Sequence, residues 1–291
     1  YKTTGVGSPS IYSTADITVN DATLTATASE GVVVEGANSI TLNNTTLIDT
    51  NNTLNGNSTT YKNIFLYQSM SGDADVGTSY FTALNSNIIT NKGDTIYVTN
   101  TNCQISLTNN KIVNNDGDFL RVEAAAWGTS GSNGGNVKLD LTNQTIEGNI
   151  IIDNLSTLDM SMTSSIYKGT INNNNTANNI SLTLDNDSII ILTSDCYINS
   201  LSNNSSDNNN IYANGYSLYV NNSKVAINEN TAPGINEVTT LTDTNNDSMV
   251  IATNDDNLDI LIKYIIPGVL IIVVIVVGSI IINRRKKLAN I

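Results

Sequence analysis

Two stretches, Gly93-Asp-Thr-Ile-Tyr-Val98 and Gly117-Asp-Phe-Leu-Arg-Val122, align residue for residue and hold most of the side chains able to do chemistry. They gather Asp94, Asp118 and Arg121 with the aromatic residues Tyr97 and Phe119, and Glu123 follows one residue on. Next comes Ala124-Ala-Ala-Trp-Gly-Thr-Ser-Gly-Ser-Asn-Gly-Gly135, a glycine-rich run with the only tryptophan of the chain. Aromatic faces stack on sugar rings, while carboxylates and guanidinium groups bond hydroxyls. Trp127 beside Tyr97 and Phe119, rimmed by Arg121, Asp118 and Glu123, therefore reads as a platform for a glycan. Two plainer readings stand beside it: Trp127 folds back over its own strand, and Arg121 with Glu123 forms a surface ion pair. If the two stretches lie on neighbouring repeats, Asp94 and Asp118 stand about 5 Å apart, the separation of a retaining carboxylate pair. Each, however, follows a turn glycine, where aspartate commonly bonds local backbone. No second cation gathers beside Arg121, so the expectation is a noncatalytic site.

The elements that hold these residues are written in a spacing repeated about eight times: apolar, any, apolar, four mostly polar residues, apolar. It occurs at Ile17, Val19, Leu24; Ile40, Leu42, Leu47; Phe81, Ala83, Ile88; Ile105, Leu107, Ile112; and Leu139, Leu141, Ile146. It continues at Met160, Met162, Tyr167; Leu182, Leu184, Ile189; and Ile211, Ala213, Leu218. The turn inside each unit carries Asp21, Asn44, Asn85, Asn109, Asn143, Ser164, Asn186 or Gly215, residues that tolerate a left-handed backbone or bond their own main chain. Strand, tight turn, strand at a period of about twenty-one to twenty-four residues predicts stacked coils, an all-β parallel solenoid. Asn44, Asn85, Asn109, Asn143 and Asn186 would form a structural ladder of side-chain amides along the stack. Alternation from the two Gly-Asp openings puts Ile96, Val98, Leu120 and Val122 inside, and Thr95, Tyr97, Phe119, Arg121 and Glu123 outside.

Composition narrows the chemistry. The 291 residues include no histidine, which removes Ser-His-Asp and Cys-His mechanisms and the commonest zinc ligand. A net charge of -13 disfavours nucleic acid as a partner. Cys103 and Cys196 should lie about four coils apart, on the order of 19 Å, too far to pair. Asp73 and Asp75, in Ser71-Gly-Asp-Ala-Asp-Val-Gly77, alternate beside glycines as in a calcium loop, but lack the other ligands, so no cofactor is expected.

Four segments follow. Residues 1–222 form the solenoid, with insertions after Asn51, Ala124 and Asn203 and with Tyr212, Tyr216 and Tyr219 placed to cover its end. Coils begin within the first twenty residues, so further coils upstream are expected. Residues 223–263 are an Asn/Asp/Thr-rich spacer, or else a degenerate last coil. Residues 264–283 are almost wholly aliphatic, and about nineteen helical residues span roughly 28 Å, a bilayer core. The basic residues Arg284, Arg285, Lys286 and Lys287 in the tail 284–291 place that end in the cytoplasm and the solenoid outside the cell, on a single-pass anchor.

The Gly-Asp strand openings, the loop Trp127 to Gly135 and Ala213-Asn-Gly-Tyr-Ser-Leu-Tyr-Val220 together resemble the adhesin-like, pectin-lyase-fold surface proteins of gut Firmicutes and related anaerobes. The resemblance covers roughly Thr14 to Asn222. It implies a right-handed parallel β-helix on the cell surface, contacting polysaccharide or cell-surface glycoprotein, with an asparagine ladder in its turns. The same fold houses polysaccharide lyases and glycoside hydrolases, with a calcium-holding carboxylate cluster and an arginine base or with paired aspartates. The expected function is adhesion or glycan contact; a noncatalytic spacer or surface coat and a polysaccharide-degrading enzyme are the alternatives.

Overall fold

The computed structural model of the chain describes residues 1–235. They form an all-β parallel β-helix whose strands stack coil on coil. The longest sheet has eight strands: Asp16–Asn20, Ser39–Asn43, Thr78–Leu84, Asn102–Thr108, Asn136–Thr142, Thr157–Thr163, Asn179–Leu184 and Ser200–Asn203. A six-stranded sheet, here the charged sheet, joins Ile11–Ser13, Val32–Glu35, Lys62–Tyr67, Asp94–Thr99, Leu120–Val122 and Ile150–Ile152. The third side is built by Lys2–Thr3, Thr23–Ala26, Thr46–Asp49, Asn87–Thr90 and Lys111–Asn114, then by a second sheet of Thr145–Glu147, Ile166–Gly169, Ile189–Leu192 and Ile211–Tyr212.

The first six units of the apolar spacing land as written. In each, two alternate apolar residues of the long sheet and one of the third side point inward, and register pairs Ile40 with Phe81, Ile105 with Leu139 and Met160 with Leu182. In the seventh unit the third-side position shifts by one residue: Ile190, in register with Tyr167, is buried, and Ile189 is only half-buried. One buried core runs from Leu24 to Ile227. The eighth unit falls on a different corner: Ile211 belongs to the third side, while Leu218 lies in the strand Leu218–Val220, which pairs with Cys196–Ile198. The eighth long-sheet strand, Ser200–Asn203, has Leu201 as its one apolar residue, too little for the spacing to register.

Six of the turn residues, Asp21, Asn44, Asn85, Asn109, Asn143 and Ser164, have φ between 47° and 53°. Side-chain bonds run from Asn44 to Asp21 (2.6 Å), from Asn109 to Asn85 (2.7 Å) and from Asn143 to Asn109 (3.2 Å), all on the exposed surface. Asn186 takes no part in this ladder among the described residues. There the turn is held by Asp185, whose carboxylate accepts the N–H of Ser164 (2.9 Å) and of Ser188 (2.8 Å).

A second ladder, one residue further on, lies inside. Thr45, Ser86, Asn110, Gln144, Ser165 and Ser188 are all buried. The side-chain oxygen of each of the last five accepts the backbone N–H of the residue below it, at 2.8–3.1 Å. A left-handed turn residue twists its successor's N–H along the axis, where a neighbouring strand offers no carbonyl; a side chain from the next coil supplies the missing acceptor.

The last described coil is closed by the chain itself. Ser223–Lys224 pairs antiparallel with Leu218–Val220, Ile227 is buried, and Asn228 exchanges backbone bonds with Ala213 and Ile211 at 2.9 and 2.8 Å. Tyr219 stacks on Tyr197 at 4.7 Å, and Tyr216 stays exposed. The expected spacer 223–263 thus begins too early, since residues 223–228 belong to the closing coil; its part beyond residue 235, the membrane helix 264–283 and the basic tail 284–291 lie outside the described residues. Among the described residues no helix is long and apolar enough to cross a membrane.

Candidate functional site

The candidate residues sit on the charged sheet, and their directions are set by a bulge shared between coils. The N–H groups of Phe119 and Leu120 both donate to the carbonyl of Asn149, as those of Ser10 and Ile11 do to Gly31. Two successive residues then point inward and alternation restarts one place late. Asn63 and Thr95, in the same position, reach across the interior to Thr90 and Asn114 at 3.0 and 2.9 Å. Phe119 therefore lies in the core at 1 % exposure, not on the outer face, and Thr95 is likewise buried. Lys62, Asp94 and Asp118 are turned outward by the same shift. The paired Gly-Asp openings follow from close stacking: a Cβ on Gly117 would stand 2.4 Å from the carbonyl oxygen of Gly93.

Arg121 is the hub of what remains outside. Its Nε donates to Asp94 Oδ2 at 2.7 Å and one terminal nitrogen to Asp118 Oδ2 at 2.6 Å, while the other lies 3.8 Å from Glu123. Tyr97 donates its hydroxyl to Glu123 at 2.9 Å. The backbone N–H of Asp118 donates to Asp94 Oδ1, and Asn149 donates to Asp118 Oδ1. Burial pushes the Asp94 carboxyl up, against the pull of Arg121 and the Asp118 N–H. Burial works against the Arg121 charge, but Asp94, Glu123 and Asp118 outweigh it and hold the guanidinium more firmly protonated than usual. Both aspartates thus share one guanidinium, which uses two of its five N–H donors on them and keeps a terminal nitrogen for Glu123 or a further acceptor.

A second cation, which the sequence did not reveal, stands on the far side. Lys62 is 1 % exposed, pairs with Glu30 at 3.3 Å, and donates to Ser58 Oγ (2.8 Å) and the Thr60 carbonyl (3.1 Å). Its ammonium lies 4.5 Å from the Phe65 ring centre and 5.1 Å from that of Tyr97. Burial lowers its pKa, with Glu30 opposing. The row Tyr12, Val33, Phe65, Tyr97, Arg121 is in register across five strands. A cation thus stands at either flank of its aromatic centre.

Trp127 closes this centre instead of opening it. Its ring lies 5.2 Å from Phe65 and 5.3 Å from Tyr67, and Phe65 stacks on Tyr67 at 4.4 Å. Asn133 pins the loop by donating to the carbonyls of Ala125 (2.7 Å) and Trp127 (2.9 Å). Gly128, at φ +80°, lies so close to Asn100 that a Cβ would stand 2.1 Å from its Oδ1. Further along, Tyr12 donates to the buried carboxylate of Glu35 and lies 2.6 Å from the Tyr67 hydroxyl. The structure thus joins Trp127 and Tyr97 through the Phe65–Tyr67 pair, and Arg121, Asp118 and Glu123 through ion pairs, but removes Phe119. Lys62 escaped the sequence reading because its side of the sheet depends on the bulge, and Glu35 and Tyr12 because their meeting with Tyr67 depends on register between coils.

Asp73 and Asp75 lie in an exposed loop, where the Asp75 carbonyl accepts the Ala37 N–H at 2.8 Å. Among the described residues no group of three or more His, Cys, Asp or Glu side chains is placed to hold a metal ion. Cys103 and Cys196 are free, buried thiols as expected, the latter pushed up to about 12 by burial.

No protein-family model matches the chain, and neither does any curated protein or solved structure.

Proposed function

We propose that this chain is a noncatalytic, adhesin-like surface protein: a β-helix of the right-handed, pectin-lyase type, held outside the cell by the apolar helix 264–283 with its basic tail in the cytoplasm, and contacting glycans. The observation that carries the noncatalytic part is the closed charge network, in which Asp94, Asp118 and Glu123 all face one guanidinium. Three carboxylates gathered on one arginine match a structural ion-pair cluster, in which each charge is offset by its neighbour. Support for contact with glycans comes from the outer face of the long sheet. There Thr18, Thr41, Thr82, Ser106, Ser161, Thr183 and Ser202 share one row with Asp140, in register from coil to coil.

The full chain in detergent micelles, applied to a glycan array, should retain a subset of glycans. Retention of none would replace this reading by that of a noncatalytic spacer or coat. New reducing ends or unsaturated products from pectic substrates, with or without calcium, would overturn the noncatalytic assignment.

A further inference from the structure

We propose that the glycan site lies on the long sheet, in a furrow running along the helix axis from Tyr80 to Asn179, and that it takes a short, uncharged, extended oligosaccharide; this rests on the glycan-contact reading above. The furrow has a volume of about 410 Å³. Its two walls are rows in register: Thr78, Asn102, Asn136, Thr157 and Asn179 on one side, Tyr80, Gln104, Lys138 and Asp159 on the other. Five strands at about 4.8 Å each make it about 19 Å long, room for a tri- or tetrasaccharide.

Three features select the occupant. Tyr80 is 46 % exposed at one end and offers a ring face for stacking on a sugar, the contact that Trp127 has already given to Phe65 and Tyr67. The walls alternate amides, hydroxyls and one ion pair, and their mutual bonds leave capacity over. Asn102 accepts from Asn136 (2.9 Å), Asn136 accepts from Thr157 (2.8 Å), and Gln104 donates to Asp140 (3.2 Å). The Asn102 amide hydrogens and the Gln104 carbonyl thus remain for a ligand. Finally, Lys138 is countered by Asp140 at 3.5 Å, with Asp159 beside it in the row, so the furrow is slightly acidic on a chain of net charge -13. An anionic polysaccharide is repelled, and a protein partner would find only one aromatic anchor.

The test is titration calorimetry on the full chain in micelles, with cellotetraose and chitotetraose as probes and tetragalacturonate as the anionic counterpart. At least one neutral probe should bind and tetragalacturonate should not. Tyr80→Ala should weaken binding about tenfold, which is about 1.4 kcal/mol, and Gln104→Ala should weaken it by a smaller factor. Tyr216→Ala, at an exposed tyrosine of the last coil, should leave it unchanged. Equal melting temperatures of the variants establish that the fold is intact. Binding that survives both furrow variants overturns the furrow, and its loss in Trp127→Ala instead would return the site to the charged sheet. If neither neutral probe binds while the array retains glycans, the furrow assignment falls and glycan contact stands; if the array also retains none, both fall.

Discussion

Asp49 shows what the interior does to a single charge. Its side chain is fully buried at the end of the strand Thr46–Asp49, where Oδ1 accepts the Asn51 N–H at 3.2 Å and Oδ2 has no partner. Burial pushes its carboxyl up to about 8; Glu30 adds to this, and the N–H groups of Asn51 and Thr50 oppose it. An unfolded aspartate titrates near 3.9. The folded chain therefore binds this proton more tightly, so its contribution to stability is complete below about pH 4 and is lost as pH rises towards about 8. Asn at this position keeps the acceptor for Asn51 and cannot ionise. Thermal unfolding between pH 5 and 9 should show the parent chain losing stability relative to Asp49→Asn, with the gap widening by several degrees towards pH 9. A constant gap would mean that Asp49 is ionised throughout. Phe119 makes a similar point about reading sequence: strict alternation put it outside, and one shared carbonyl on Asn149 puts it in the core.

At the scale of strands and turns, most of the architecture was legible because apolar spacing states which side chains must leave water. The ladder was legible only by half. Asparagine in a left-handed turn announces itself by type, whereas its successor is Thr, Ser, Asn or Gln and shows no single signature. Gln144 occupies the centre of the buried row: Oε1 accepts from the backbone and side chain of Asn110 at 3.0 and 3.2 Å, and Nε2 donates to the Asn110 carbonyl at 2.7 Å. Gln144→Leu keeps the bulk and leaves that N–H without an acceptor, a loss of about 1–3 kcal/mol. Asn143→Gly should cost far less, since glycine adopts φ near +47° freely and only one exposed bond goes. Denaturant unfolding of the two variants distinguishes them, and equal losses would assign the ladder's strength to its exposed row. The candidate site was less legible than the ladder, because charge and aromatic residues were visible but their mutual pairing depends on register across coils separated by the loops 50–61 and 68–77.

A solenoid's stability is close to a sum over coils and their interfaces, so exposure should differ along its length. In the first coil Lys2–Thr3, Ile11–Ser13 and Asp16–Asn20 each pair on one side only, and Ile11, Ile17 and Val19 are only partly buried. The strands from Thr78–Leu84 to Thr157–Thr163 are paired on both sides over a fully buried row. Among the described residues, hydrogen exchange should therefore replace amides of residues 2–20 before those of residues 103–107 and 137–141. Uniform protection would indicate that the coils unfold as one unit.

The bulge beneath Phe119 also bears on how such a chain can be rearranged. Loop length at a corner is free to vary, because a loop adds nothing to the order of neighbouring strands. Parity on the charged sheet is not free: a coil transplanted without its doubled inward step would turn isoleucines to the solvent and drive Lys62 or Asp94 into the core. Coils are therefore interchangeable parts only among those cut to the same offset, and recombination or design that respects the twenty-odd-residue period but ignores that offset would join modules that cannot share a core.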